Sequence, residues 1–302
     1  MGLAYLGTSD FAVTVLQGMV AAGERPDLVV TPPDRARGRG RTPRPTPVAV
    51  AAEELGIAVH RTARVNEPES LETIAEAGIG QGMVCAFGQI LGSELLDRVP
   101  LLNVHPSLLP RWRGAAPIER AIMAGDAETG TTIMRVTEGL DSGPMAAQRT
   151  VPITDQTFGE LAPRLAQLGA ELAVEALRDE RSGTIALADQ DDGQATYAEK
   201  IDRSERALDP GRPAVELART VRALTPHIGT QLPLEGGQTL GVIAVRALPG
   251  GPGQGALSEV DGVLVLGCAE GALAIDEVRP SGGRTMAAHD YLRGHPVPRP
   301  AT

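Results

Sequence analysis

The fold is decided by residues 3–30, LAYLGTSDFAVTVLQGMVAAGERPDLVV. A short apolar run ends at Gly7, and the polar residues 8–10 can cap a helix whose apolar side chains recur every three or four residues. A second apolar run follows Pro26. Strand, turn, helix and strand in this order predict a parallel sheet whose strands are buried on both faces.

The same alternation continues to residue 104. Apolar runs lie at 57–59, 83–86 and 102–104, and helical patterns lie at 48–55 and 71–77. We therefore expect an α/β, Rossmann-like, doubly wound parallel sheet that binds its ligand beyond the carboxyl ends of its strands. The first turn argues against a dinucleotide, because Ser9 stands where the motif G-x-G-x-x-G has its second glycine.

The chain changes character near residue 205. Turn-forming residues occupy 189–193 and 209–211, and a helical pattern covers 214–224. Short apolar runs separated by glycine then follow, at 240–245, 262–266 and 272–275. This spacing predicts a small β-barrel. We expect a first domain over residues 1–182, a linker over 183–205 and a second domain over 206–302.

Composition excludes two ways of binding nucleic acid. The 302 residues carry 28 basic and 38 acidic side chains, a net charge of −10, so the chain as a whole does not coat nucleic acid nonspecifically. Three Phe, three Tyr and one Trp are too few aromatic residues for a base-stacking sheet.

The cysteines, the first residues of the chain and the histidines predict the compartment of the protein and whether it binds a metal. Cys85 and Cys268 lack metal-ligand spacing and indicate a reducing compartment. The first residues, MGLAYLGTSDF, do not form a signal peptide, and no run of 18 apolar residues occurs. We expect a cytoplasmic protein without a membrane span. The five histidines form no metal-binding pattern, so no metal is expected.

Three polar residues follow predicted strands and suggest chemistry. Asn103 and His105 alternate at the end of an apolar run, so both side chains lie on one face of that strand. An amide and an imidazole together can donate to an oxyanion, and the imidazole can also move a proton. Asp141, between Gly139 and Gly143, can orient a histidine. The alternative is that Asn103 caps a turn, His105 is a satisfied loop histidine and Asp141 only forms a turn.

Together these segments resemble the 10-formyltetrahydrofolate-dependent formyltransferase family, almost from end to end. The resemblance rests on GTSDFA at 7–12, PDR at 33–35 with GRG at 38–40, AFGQIL at 86–91, NVHPSLLPRWRGAAPI at 103–118, AGDAETG at 124–130 and TYAEK at 196–200. The set Asn103, His105 and Asp141 is shared with members that act on other amines. The runs RWRGAAPI and YAEK favour the branch that formylates methionyl initiator tRNA.

The resemblance implies a role for each matching residue. Asn103 and His105 hydrogen-bond the formyl oxygen, and Asp141 pairs with His105 and helps to move the proton. Two stretches bind the folate donor, Phe87, Gly88, Gln89, Ile90 and Leu91 after one strand and Ser107, Leu108, Leu109 and Pro110 after the next. The family fold is a Rossmann-like catalytic domain followed by an OB-like barrel that binds tRNA.

A basic segment is the candidate contact with tRNA. Residues 34–44 hold five arginines, namely Arg35, Arg37, Arg39, Arg41 and Arg44, together with two glycines, Gly38 and Gly40. We expect a mobile loop whose guanidinium groups reach phosphates and unpaired bases. In the family this loop enters the acceptor stem, which makes Arg39 the first candidate. The alternative is a solvated surface loop without a partner.

Two other functions stay open. One is a folate-dependent formyltransferase for an amino sugar or another small amine, and the other is a catalytically silent tRNA-binding module. The chain also departs from the family at 225–229, where TPHIG replaces an aromatic-containing segment that resembles Asn-Pro-Trp-Pro. Near the linker, further candidates for phosphate contacts are Arg203, Arg206, Arg219 and Arg222. We expect a monomer.

The basic segment gives a direct prediction. The change Arg39→Ala should weaken the use of tRNA and reduce the slope of log affinity against log salt by about 1, because one phosphate contact is lost. Filter binding over a salt series measures the slope. An unchanged slope and unchanged kinetics toward tRNA would remove this segment from the tRNA site.

Overall fold

The computed structural model describes residues 2–37 and 42–301. The chain divides into two compact units. The first comprises Met1–Gly114, Thr129–Val151 and Ala162–Ala198, and the second comprises Ala115–Glu128, Pro152–Leu161 and Glu199–Thr302.

Most strands and helices up to Ala198 belong to the first unit. The strands are β1 (Gly2–Gly7), β2 (Leu28–Thr31), β3 (Arg35–Arg37), β4 (Thr42–Arg44), β5 (Ala58–Arg61), β6 (Ile79–Cys85), β7 (Leu101–His105), β8 (Arg113–Gly114), β9 (Glu128–Arg135), β10 (Met145–Pro152) and β11 (Tyr197–Ala198). The helices in this part of the chain are α1 (Asp10–Ala21), α2 (Pro47–Glu54), α3 (Pro68–Glu76), α4 (Ser93–Arg98), α5 (Pro117–Ala124) and α6 (Phe158–Ser182). Of these, α5 belongs to the second unit.

The central sheet confirms the expected Rossmann-like architecture. In the described residues its strand order is β10-β9-β7-β6-β1-β2-β5. The strands from β7 to β5 in that order run parallel, whereas β9 pairs with β7 in the antiparallel direction. The antiparallel addition at one side of the sheet was not expected from the sequence. The two-stranded pairs β3–β4 and β8–β11 lie outside this sheet.

Alternate residues of β1 face two different apolar clusters. Tyr5 belongs to the cluster that also contains Leu16 of α1 and Leu177 of α6. Leu6 belongs to the opposite cluster, with Leu71 of α3. Full burial of a side chain of this size stabilises the fold by about 1.5–3 kcal/mol. Because helices cover both faces, four consecutive residues of β1, at 3–6, are apolar and not only every second one.

Strand order reverses between β1 and β6. From β1 the chain adds β2 and β5 on one side, and it then adds β6 and β7 on the other. Helix α1 begins directly after β1, where the Ser9 hydroxyl accepts a hydrogen bond from the Ala12 backbone N–H at 3.4 Å. Ligands of such sheets bind beyond the carboxyl ends of the strands at this reversal. The loops after β6 and β7 are therefore the place to look for a site.

The second unit is built around an antiparallel sheet. Its strands are β12 (Thr230–Pro233), β13 (Thr239–Leu248), β14 (Leu257–Val260), β15 (Val263–Gly267), β16 (Ala272–Pro280) and β17 (Met286–Ala287), with helices α7 (Ala214–Leu224) and α8 (Ala288–Gly294). Leu217 and Val221 of α7 pack in one cluster with Leu240, Leu264 and Ile275 of the sheet.

The sheet of the second unit is open over the residues that the structure describes. Its order is β12-β13-β16-β15-β14, with β17 paired to β16, and β12 does not pair with β14. The antiparallel sheet is as expected, but the closed, OB-like barrel is not confirmed. Helix α7 covers the range expected from the sequence.

Two other segments differ from expectation. The basic segment is not a plain loop over its whole length, because its arms β3 and β4 pair in the antiparallel direction with Arg35 opposite Arg44. Helix α6, 25 residues long, was not anticipated. Within the described ranges, no helix is long and apolar enough to cross a membrane.

One buried side chain generates a stability prediction. Gln81 on β6 is 1% exposed, and neither atom of its amide has a hydrogen-bond partner among the described residues. A buried amide without partners costs about 1–3 kcal/mol. The change Gln81→Met should therefore preserve or raise the free energy of unfolding, measured in urea.

A matched control is Gln148→Met. The Gln148 amide donates to the Leu109 carbonyl at 3.0 Å and to Thr132 Oγ1 at 2.9 Å, so its removal should lower stability. An equal loss in both variants would show that Gln81 has a partner in solution and would contradict the prediction.

Candidate active site

Strand β7 places Asn103 and His105 on one face, together with Leu101, as the alternation predicted. Asn103 lies between Val84 of β6 and Met134 of β9. His105 is 4% exposed, whereas Asn103 is half-buried. The Asn103 amide makes no hydrogen bond to the described residues, so its donors are open to a ligand.

The His105 ring lies between two oxygen atoms. Its Nε2 lies 2.8 Å from the Trp112 carbonyl oxygen, and its Nδ1 lies 3.6 Å from Oδ2 of Asp141. A carbonyl oxygen only accepts, so Nε2 carries a hydrogen and donates it to Trp112. The other ring nitrogen faces the carboxylate. The structure thus brings together the histidine and the aspartate that the sequence singled out.

Asp141 is held by a backbone group. Its Oδ2 accepts a hydrogen bond from the Gly114 N–H at 2.8 Å. Gly114 has φ +117°, a conformation that glycine adopts without steric cost, and a Cβ there would lie 2.9 Å from the Ala198 carbonyl oxygen. Because residue 114 has no side chain, its backbone fits against Ala198 of β11, and the Gly114 N–H is directed at the Asp141 carboxylate.

Backbone strain is concentrated around these groups. Among the described residues, four non-glycine residues have positive φ, and three of them are Ala86 after β6, Trp112 and Asp141. Such a conformation costs about 1–3 kcal/mol and persists only where the surroundings fix it. The strained residues include the one whose carbonyl binds His105 and the one whose carboxylate faces it. This distribution supports a functional site here.

The loop after β7 is fixed by Thr132, which lies opposite His105 on β9. Thr132 Oγ1 donates to the Ser107 carbonyl at 2.6 Å and accepts from the Leu109 N–H at 3.3 Å. The Ser107 hydroxyl donates to the Arg111 carbonyl at 2.6 Å. Thr132 of β9 and the Ser107 hydroxyl within the loop therefore fix the conformation of the loop together.

The loop after β6 is fixed by three side chains. Thr8 Oγ1 donates to the Phe87 carbonyl at 3.0 Å. Gln89 accepts from the Val65 N–H at 2.9 Å and donates to the Thr62 carbonyl at 2.9 Å. Asn66 donates to the Ile90 carbonyl at 2.9 Å. These hydrogen bonds anchor the loop to residues 8 and 62–66.

The residues proposed to bind folate lie in these two loops but differ in exposure. Phe87, Leu91, Ser107 and Leu109 are buried and anchor the loops. Gln89, Leu108 and Pro110 are half-buried, and Gly88 and Ile90 are exposed, with Ile90 84% accessible. A ligand at this edge therefore meets the second group.

The arginines proposed to bind tRNA are only partly described. Arg35 is exposed on β3, and Arg37 ends that strand. Arg39 and Arg41 lie outside the described residues. In the described ranges no group of three or more His, Cys, Asp or Glu side chains could hold a metal ion.

Sequence reasoning missed several groups of the site. The Trp112 carbonyl and the Gly114 N–H belong to the backbone, which every residue type shares. Gln190 was assigned only to a turn, yet its amide Nε2 donates to the Asp141 and Gly143 carbonyls, each at 2.8 Å. A single polar residue in a loop produces no hydrophobic periodicity, so the sequence pattern does not show that the Gln190 amide donates to a distant turn.

The fold and this site together define a formyl transferase. Residues 3–177 match the family model described as "Formyl transferase", and residues 200–296 match "Formyl transferase, C-terminal domain". The chain belongs to the formyl transferase family.

Similar relatives include proteins named methionyl-tRNA formyltransferase. The chain is 46% identical to the methionyl-tRNA formyltransferase of Halorhodospira halophila, over 97% of this chain and 96% of that protein. It is 42% identical to the methionyl-tRNA formyltransferase of Parvibaculum lavamentivorans, over 97% of each.

Solved structures share the fold at lower identity. HypX from Aquifex aeolicus, solved with tetrahydrofolic acid, has a TM-score of 0.67 and 16% identity, and the match covers 97% of this chain and 47% of HypX. This chain thus spans about half the length of HypX. The sugar 3N-formyl transferase WlaRD, solved in the presence of dTDP and 5-N-formyl-THF, has a TM-score of 0.67 and 18% identity, covering 91% and 97%.

The loop after β7 yields a prediction about stability. The change Thr132→Val should lower the free energy of unfolding by about 1–3 kcal/mol, because the buried groups of Ser107 and Leu109 lose their partner. Urea unfolding measures this difference. Thr129→Val on the same strand is the control, since the buried Thr129 hydroxyl has no partner among the described residues. Equal effects of the two changes would refute the role given to Thr132.

Proposed function

We propose that the chain transfers the formyl group of 10-formyltetrahydrofolate to the amino group of methionine on the initiator tRNA. The observation that carries this proposal is the His105–Asp141 pair beside the open Asn103 amide, in a chain whose likeness to methionyl-tRNA formyltransferases covers both units. The amine forms a bond to the formyl carbon, the bond from that carbon to N10 of the folate breaks, and one proton passes from the amine to N10.

The two loops fit a folate as donor substrate. A flat, aromatic pterin needs apolar contact and backbone hydrogen-bonding groups in a fixed arrangement. Ile90 supplies an exposed apolar side chain, and Ala86 and Gly88 expose backbone at positive φ. Thr8, Asn66 and Gln89 keep this stretch in place. We assign the donor to the edge formed by residues 86–91 and 107–110.

Asn103 is proposed to stabilise the oxygen of the formyl group as charge develops on it. Attack of the amine produces a tetrahedral oxyanion, and one fixed donor to such an oxygen contributes about 2.7–4 kcal/mol. The Asn103 amide is suited to this role because it is half-buried and has no hydrogen bond to the described residues. His105 adds a second donor when its Nε2–H turns from the Trp112 carbonyl to that oxygen.

Asp141 is proposed to orient His105 and to receive the proton of the attacking amine. Its carboxylate lies beside Nδ1 and is 16% exposed, so it is open to a small group but shielded from bulk water. General acid–base assistance of this kind contributes about 10²–10⁴ in rate. The Gly114 N–H keeps the carboxylate in place through the reaction.

The tRNA is proposed to contact the basic segment. Arg35 and Arg37 lie on β3, and Arg39 and Arg41 lie between β3 and β4 in the sequence. Local positive charge of this kind attracts phosphates even though the whole chain carries a net charge of −10. We further propose a catalytic domain over 1–182, a linker over 183–205 and an OB-like, tRNA-binding domain over 206–302. We also propose that the protein is a monomer and that it is located in the cytoplasm.

The role of Asp141 generates a prediction. The change Asp141→Asn should lower kcat by about 10²–10⁴, since the amide can neither take the proton nor pair with the imidazole as a carboxylate does. Binding of the folate donor, measured by fluorescence or calorimetry, should change by less than about threefold, because no folate contact is removed.

The exposed Asp189, changed to Asn, is a matched control and should retain full activity. Near-normal turnover of Asp141→Asn would eliminate the proposed proton role.

The substrate is tested by one assay with three amines. The purified chain and 10-formyltetrahydrofolate are offered methionyl initiator tRNA, methionyl elongator tRNA or a free amino sugar. We expect formylation of the initiator tRNA and little of the other two. Exclusive activity on the sugar would overturn the proposal in favour of a sugar formyltransferase. Tight binding of tRNA without turnover on any amine would identify a silent binding module.

A further inference from the structure

Residues 186–198 return to the site instead of leading away from it. Ala188 exchanges two backbone hydrogen bonds with Met145 at the start of β10, at 2.8 and 2.9 Å. The Arg113 N–H donates to the Thr196 carbonyl at 2.9 Å, and the Trp112 N–H donates to Thr196 Oγ1 at 2.9 Å. This segment, which the sequence suggested was a linker, therefore contacts both the turn after β9 and the loop after β7.

Gln190 is the side chain that joins those two loops. Its Nε2 donates to the carbonyl oxygens of Asp141 and Gly143, each at 2.8 Å. Its Oε1 accepts from Nε of Arg113 at 3.0 Å. The partners fix the orientation of the amide, because two carbonyls require donors and a guanidinium requires an acceptor.

The turn that Gln190 binds has little freedom of its own. Asp141 has φ +47°, and a Cβ at Gly143 would lie 1.9 Å from the Arg135 carbonyl oxygen. A strained residue keeps its conformation only where its surroundings fix it, and Gln190 binds the carbonyls on both sides of Ser142. Without these two bonds, the Asp141 carboxylate is free to leave the Gly114 N–H and His105.

Arg113 extends the same connection. Its guanidinium is 4% exposed, and its Nη2 lies 2.7 Å from Oδ1 of Asp192, in the same segment as Gln190. Residue 113 directly precedes Gly114, which binds the Asp141 carboxylate. Gln190 thus holds the carboxylate's own turn and, through Arg113, the backbone group that the carboxylate binds.

We propose that Gln190 is a positioning residue for formyl transfer, which fixes the Asp141 turn so that the carboxylate faces His105. This inference rests on the proposed role of Asp141. It assigns Gln190 no contact with either substrate. Its removal should therefore change kcat and leave the KM values nearly unchanged.

The test uses two changes at Gln190 and one control in the full chain. Gln190→Met removes the hydrogen bonds to Asp141, Gly143 and Arg113 at similar volume. Gln190→Glu keeps an acceptor for Arg113 but loses the donors to the two carbonyls. Gln194→Met is the control, because the exposed Gln194 amide bonds only to Asp191 in its own turn. Thermal unfolding establishes that each variant is folded.

We expect Gln190→Met to lower kcat about 10- to 100-fold, since a displacement of the reacting groups by about 1 Å can cost 10²-fold. KM for the folate donor and for methionyl-tRNA should stay within about twofold. Gln190→Glu should be similarly slow, and its deficit relative to the wild type should shrink as pH falls, because a protonated carboxyl regains one donor. Gln194→Met should match the wild type.

The outcomes separate the two proposals. If the wild-type chain formylates methionyl initiator tRNA and folded Gln190→Met is equally fast, the inference about Gln190 is overturned and the proposed function stands. A loss that appears only in KM also overturns it, because it would place Gln190 in substrate binding. If the wild-type chain formylates none of the amines, the proposed function fails and this inference fails with it.

Discussion

The site depends on one constraint, a carboxylate held against a buried imidazole by a backbone N–H. Asp141 accepts from Gly114 and faces Nδ1 of His105, whose other nitrogen donates to the Trp112 carbonyl. His105 ends strand β7 and Gly114 lies on β8, whereas Trp112 and Asp141 lie in loops that other contacts must hold in place. The glycine at 114 and the network around Thr132 fix the two loops, and the positive φ values of Trp112 and Asp141 persist because their surroundings hold them.

The doubly wound sheet explains why the site lies where it does. Helices cover both faces of β1, β6 and β7, so their side chains are used for packing, and polar groups gather where the strands end. Asn103 and His105 are the last polar positions of β7 and share the face of Leu101. In the proposed reaction, the Asn103 amide donates to the developing oxyanion, and the flat folate donor lies at the edge formed by the two loops.

Much of the first unit could be predicted because apolar runs and helical periods report burial directly. The apolar run at 102–104 predicted the strand that spans Leu101–His105, and the family resemblance predicted the pairing of His105 with Asp141. In the second unit, the helical pattern at 214–224 predicted α7. The antiparallel β9 could not be predicted, because strand direction is set by contacts distant in sequence. Gln190 was missed for a similar reason, since its partners lie 47 and 49 residues away.

The most direct test is the hydrogen on His105. The 2.8 Å contact between His105 Nε2 and the Trp112 carbonyl requires Nε2 to carry a hydrogen, because only then can it donate to that oxygen. Nuclear magnetic resonance of the chain with ¹⁵N-labelled histidine, assigned with a His105→Gln variant, reports each ring nitrogen separately. We predict a protonated Nε2 at neutral pH, and an Nδ1 signal that shifts in Asp141→Asn. An unprotonated Nε2, or an Nδ1 signal that is the same in Asp141→Asn as in the wild type, would contradict the proposed arrangement of His105 and Asp141.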